Sequence, residues 1–286
     1  MAEYLIQGET LTGIADAIRG KTGGTEPVAV SDMAAQIEGI QAGGGDIGAL
    51  IDRSITEIES NAGTVGNYAF ASCSKLTSVN FPMATSIGGY AFNYCSGLIN
   101  VNFPKAINIG DHAFYDCAKL TSVNFPAVTS IGSYAFDGCD SLTNVDFPVA
   151  ITTGASSFTS CPKLTSVNFP MATSVGSYAF ERCAKLTSVD FPAATSIGSS
   201  SFSRCSSLKA VILRNVDNIC SVYNAQAFGS TPIASGTGYI YVPSALIEQY
   251  KVATNWSTYA TQFRALEDYT VDGTVTGELD PAKTGT

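Results

Sequence analysis

The residues of this 286-residue chain best suited to nucleophilic, redox or metal chemistry are eight cysteines and a single histidine. Seven of the cysteines, Cys73, Cys95, Cys117, Cys139, Cys161, Cys183 and Cys205, fall 22 residues apart. A zinc site draws on closely spaced ligand pairs, yet no C-x-x-C occurs, and no two cysteines are closer in sequence than Cys205 and Cys220. A Cys-His or Ser-His-Asp arrangement would have to use His112. That residue occupies a repeat position otherwise filled by Tyr68, Tyr90, Tyr134, Tyr178, Ser156 and Ser200, so it is a substitution within a column. Neighbouring repeats could bring cysteine Cα atoms within disulfide range. Seven is odd, however, and the column runs between phenylalanine and leucine, so reduced, buried thiols acting as small hydrophobes are expected. Paired-carboxylate chemistry would fall to Asp146 and Asp190, two repeats apart. That is roughly 10 Å at ~4.8 Å per parallel strand, near the upper edge for an inverting pair, and neither has an obvious cause for a raised pKa. No catalytic residue, metal ligand or cofactor is expected, and the chain is read as a non-enzyme.

The same 22-residue step governs the elements around the cysteines. Phe70 through Phe202 precede each cysteine by three residues, and Leu76 through Leu208 follow it by three. In Leu76–Pro82, Val79 and Phe81 alternate with Ser78 and Asn80, the period of a half-buried strand that Pro82 then ends. Ile87-Gly88 opens a second extended piece, and the glycine column Gly66 to Gly198 predicts a turn needing positive φ or close backbone approach. Ala91-Phe92-x-x-Cys95 is compatible with one helical or 3₁₀ turn that points Phe and Cys inward. A fixed period of this length, in which no unit can bury its apolar residues alone, defines a solenoid.

The strand L-x-x-V-x-F-P followed by S-I-G-x-x-A-F-x-x-C resembles the BspA-like branch of the leucine-rich repeats, found in bacterial surface proteins, over roughly residues 55–260. The resemblance implies an α/β solenoid with a parallel sheet on one face, short turns on the other, and a binding rather than catalytic role. The register departs at both ends: Ile55 and Ile58 are offset by one residue, Arg214 replaces the strand-ending proline, and Phe228 lies 26 residues after Phe202. The repeats are assigned to residues 46–243. Residues 244–269 read as a C-terminal cap, with Ser244 as N-cap, an apolar stripe of Leu246, Ile247, Tyr250 and Ala253, and Trp256 plugging the last coil. Residues 270–286 read as a flexible tail.

Residues 1–45 are a separate object. Leu11, Ile14, Ala15 and Ile18 predict one amphipathic helix, and Met33, Ile37 and Ile40 a second, before a Gly43-Gly44-Gly45 linker. The runs Leu11 to Gly24 and Ser31 to Ile37 are similar to N-terminal modules of phage tail and tail-fibre-like proteins, which implies an attachment role. Too small for a robust core, this piece is expected to pack on a partner, on another copy of itself or on the solenoid. An oligomer through residues 1–45 stays open.

Net charge is −9 with only 14% charged residues, so there is no basic stripe for a phosphate backbone and no nucleic-acid partner is expected. No run of 18 apolar residues predicts a membrane span. The first eight residues have neither a basic nor a long apolar signal region, so no signal peptide is expected in this chain. An extracellular, cell-surface or virion-associated location is nevertheless anticipated. The expected partner is a protein or glycan on a cell surface. Three surfaces could read it: the Ser/Asn strand columns, the column Tyr68, Tyr90, His112, Tyr134 and Tyr178, and the varied residues between Phe and Cys, including Tyr94, Tyr115, Arg182 and Arg204. For the first, mutual side-chain hydrogen bonding is the simpler role; for the last, drift at unconstrained positions.

Overall fold

The computed structural model describes residues 40–41 and 55–269. The helices and linker expected in residues 1–45 otherwise lie outside the described residues, as does the 270–286 tail. Ile40, assigned by periodicity to a helix face, instead lies in a two-residue strand, Ile40–Gln41, that pairs antiparallel with Glu59–Ser60.

The repeats stack as a parallel solenoid. Each coil contributes a first strand, beginning with Glu57–Ser60 and Ser78–Asn80 and recurring to Tyr239–Val242 and Phe263–Ala265. Val145 pairs with both Val123 and Val167, so the 22-residue step in sequence becomes one step across the sheet. The one-residue offset of the first coil appears as Ile58 pairing with Val79. The sheet divides after Ser166–Asn168, and a second set begins at Ser188–Phe191. Shorter second strands such as Ser86–Ile87 and Asn108–Ile109 form a parallel ladder of their own. Among the described residues, α-helix is confined to Ile247–Val252 in the closing segment.

Phenylalanine explains the interior. Phe92, Phe114, Phe136 and Phe158 stack on one another at 5.2 Å, and Phe81, Phe103, Phe125 and Phe147 form a second column tilted against the first. The cysteines fill the core beside them, all buried and none joined in a disulfide. Their thiols have a further role that the sequence did not reveal. Cys95 Sγ donates to the Phe70 carbonyl at 3.0 Å, Cys117 to Phe92 at 3.2 Å, and the pattern runs to Cys205 on Phe180 at 3.0 Å. Burial pushes the thiols of Cys117 and Cys139 well above their ordinary pKa.

The last coil has no successor to satisfy its backbone, and side chains take over. The Tyr250 hydroxyl accepts from the Cys220 N–H at 2.7 Å, and Trp256 Nε1 donates to the Cys220 carbonyl at 2.6 Å. Asn255 Nδ2 covers the carbonyls of Val222 and Tyr223. Trp256 is buried and stacks on Phe228, as expected of a plug. Ser244 is not the N-cap: Pro243 holds that place, and the Ser244 hydroxyl donates to Glu267 instead.

Candidate functional site

The surface opposite the first strands is built from turns, and its backbone departs from the expected helical turn. Within residues 90–95 the N–H groups alternate in direction. Ala91, Asn93 and Cys95 bond three residues back within the coil, while Tyr90, Phe92 and Tyr94 donate to Asp111, Ala113 and Tyr115 of the next coil. Alternation requires left-handed residues. Tyr68, Tyr90, His112, Tyr134, Ser156, Tyr178 and Ser200 all have φ between 53° and 59°. Four residues on, Ser72, Tyr94, Asp116, Gly138, Ser160, Arg182 and Arg204 have φ between 55° and 75°. Left-handed backbone costs a non-glycine residue roughly 1–2 kcal/mol, offset here by one inter-coil hydrogen bond at each residue from Tyr68 to Tyr178 in the first column and from Ser72 to Arg204 in the second. The second of the two varied positions between Phe and Cys therefore carries a backbone demand.

Positive φ falls on these columns rather than on the glycines before them. The glycines serve close approach instead: a Cβ on Gly154 would stand 2.3 Å from the Gly132 carbonyl oxygen, and one on Gly132 2.5 Å from the Asp111 nitrogen.

The fixed backbone lines up the ring column. Tyr68 stacks on Tyr90 at 4.7 Å, Tyr90 on His112 at 4.5 Å and His112 on Tyr134 at 4.7 Å, all within 9° of parallel. Tyr94 of the second column and Tyr115, one residue before that column, join it: Tyr115 is edge-on to Tyr94 and tilted against His112, both at 5.4 Å. Six of the nine sequence-predicted residues thus form one aromatic patch. Burial among these rings lowers the pKa of His112 despite Asp111 beside it, so the imidazole is a neutral member of the stack at pH 7. Burial and the nearby Asp137 raise the pKa of Tyr115.

The other three residues stand apart. Arg182 and Arg204 flank Glu181 at 4.0 and 3.4 Å, an exposed and weakly stabilising arrangement. Tyr178 touches no other ring among the described residues, because Ser156 and Ser200 occupy the neighbouring positions. Asp137 lies in the patch's acidic margin. Burial first, then Asp116 and Glu181, push its carboxyl up to about 6.

The sheet face is self-satisfied. Asn102 Nδ2 donates to Asn80 at 2.8 Å and Asn80 to Glu59 at 3.1 Å. The two candidate carboxylates are similarly engaged: Asp146 accepts from Asn168 at 2.8 Å, and Asp190 takes a forked contact from Arg214 at 2.7–3.0 Å. A shallow depression of about 500 Å³ lies over them where the sheet divides, and Val167 there is only half-buried.

A family model described as BspA type leucine-rich repeat region, in six copies, matches residues 52–153 and 129–237. The chain belongs to that family. No curated protein matches it. Among solved structures it is similar to a leucine-rich repeat protein from T. pallidum, at 27% identity and a TM-score of 0.46, covering 54% of this chain and 72% of that one. A leucine-rich repeat protein from Eubacterium ventriosum gives 26% identity and a TM-score of 0.46, covering 56% of this chain and 42% of the other.

Proposed function

We propose that this chain is a non-enzymatic recognition protein that binds a protein or glycan on a cell surface through the turn face of its repeats. The ring column from Tyr68 to Tyr134 carries the reading. It presents four aromatic groups at a spacing fixed by the backbone, whereas the polar strand columns are occupied with one another. Stacked rings give contact area at low entropic cost, which is why aromatic residues dominate recognition surfaces.

The setting proposed is a phage tail or prophage-encoded particle, supported by the resemblance of residues 11–37 to tail-protein modules. A bacterial surface adhesin is the second reading, favoured by family membership. Neighbouring tail and lysis genes would favour the first, and export or anchoring genes the second. The function itself is tested by screening labelled full-length protein on fixed cells and a glycan array, beside a Tyr90→Ser/Tyr134→Ser/Tyr178→Ser variant. Ser156 and Ser200 already occupy this column, so the variant should fold. Loss of binding supports the reading. Unchanged binding moves recognition elsewhere, and binding by neither protein leaves a structural spacer.

A further inference from the structure

Resting on that reading of the turn face, we propose that the gap over Ser156 is a subsite for one neutral pyranose ring, gripped between Tyr134 and Tyr178. The backbone runs through this point without interruption. Tyr134 donates to Ala155, Ser156 to Ser177 and Tyr178 to Ser199, each at 2.8 Å, and the three residues share φ values of 55–59°. Only the ring is missing. Tyr134 and Tyr178 are therefore two coil steps apart, roughly 9–10 Å at ~4.8 Å per step. The stack that reaches Tyr134 ends there, and Tyr178 has no aromatic neighbour. Their exposures of 39% and 43% leave both facing walls open.

The floor distinguishes the occupant. Ser156 is only 6% exposed, and its hydroxyl, which makes no hydrogen bond among the described residues, is not sealed off from a ligand as the hydroxyl of the neighbouring Ser157 is. Ser200, walled by Tyr178 on one side alone, is less buried. An unpaired hydroxyl at the base of a slot can exchange its water for a ligand that brings a polar group to it. A phenyl or phenol ring inserted face-on would seal that hydroxyl beneath carbon. A pyranose carries C–H bonds on both faces for the tyrosine walls and hydroxyls around its rim for Ser156. The low charge of the column, with His112 held neutral, favours an uncharged sugar over an acidic one.

The test uses full-length protein and saturation-transfer NMR with four probes: the methyl glycosides of glucose, galactose and mannose, and N-acetylglucosamine. N-acetyltyrosinamide serves as the aromatic competitor. At least one sugar should bind, with transfer concentrated on its ring C–H protons. Ser156→Tyr, which supplies the missing ring, should weaken that binding by about ten-fold or more, the loss of most of a modest contact energy. Ser200→Tyr adds a ring outside the slot and should leave it unchanged. Ser156→Ala keeps the slot open, is expected to fold, and should weaken binding several-fold through loss of the floor hydroxyl. The proposal is overturned if no sugar binds, if Ser156→Tyr binds like wild type, or if only N-acetyltyrosinamide occupies the slot. Failure of the sugars while the three-tyrosine variant still loses its surface partner would overturn the slot and leave the turn-face reading standing.

Discussion

Each coil turns two faces to solvent, and they are built on opposite plans. On the sheet face the side chains answer one another: Asn80 and Asn102 bond directly, and the Thr143 and Thr165 hydroxyls reach the carbonyls of the coil before. On the turn face the backbone does the bonding, through alternate residues of which every second one is held at positive φ, and the side chains are released. Where the backbone is fully engaged, residue type can vary without opening the stack. The turn face can therefore specialise along its length, rings in one half and serine or arginine in the other, while the sheet face stays nearly uniform.

The largest expected effect comes from separating the turn-face ladders. In Gly154→Ala the new Cβ would meet the Gly132 carbonyl at 2.3 Å, and backbone cannot yield as a side chain tip can. A loss of about 3 kcal/mol or more is expected, at the upper end for overpacking, read as a fall in denaturant midpoint. Little change would mean that the two coils are not held together there. Next come the thiols beneath this face. Cys139→Ser should cost ~1–3 kcal/mol, towards the lower value because the Phe114 carbonyl already accepts from this position. The wild-type thiols should react with a thiol reagent only on unfolding, and ready labelling of the native protein would contradict their burial.

A smaller effect, opposite in sign, is expected at Tyr134. Tyr134→Gly removes the left-handed penalty at φ 57° and should recover part of ~1–2 kcal/mol, less the lost stacking on His112. A large destabilisation would make the ring column a structural support instead. At Asp137 the sign follows from linkage. Its folded pKa of about 6 lies above the ordinary 3.8, so the native state holds the proton more tightly. Its contribution to stability is full below about pH 4 and is lost as pH rises through about 6. Asp137→Asn should flatten that window in melting curves, and an unchanged pH profile would remove the assignment. Least of all, Asn102→Ala on the sheet face should cost under about 1 kcal/mol, because it breaks one exposed rung among many.

Much of this was legible in the sequence because the repeat reports every column many times over. The strand, the inward Val and Phe, the buried cysteines and the Trp256 plug all follow from period and polarity. The left-handed columns did not, because positive φ is ordinarily read from glycine, and here it falls on tyrosine, histidine, serine, aspartate and arginine. The glycine column pointed to both turn geometry and close approach, and only the second belonged to it. Ser156 looked like one variant among several until its lower exposure distinguished it from Ser200. The division of the sheet after Asn168 has no counterpart in the repeat pattern, since Ser166-Val167-Asn168 is the same triplet as Ser78-Val79-Asn80 and Ser122-Val123-Asn124, which pair on both sides. The residues 1–45 pattern named helices, and within it Ile40–Gln41 pairs as strand.

The contrast between faces is tested most directly by hydroxyl-radical footprinting of the full-length protein with and without a surface partner recovered from the cell or glycan screen. The account predicts that oxidation of Tyr90, His112, Tyr134 and Tyr178 falls several-fold on binding while side chains of the Ser/Asn strand columns are unchanged. Protection confined to the strand columns, with the ring column as reactive as in the free protein, would contradict it.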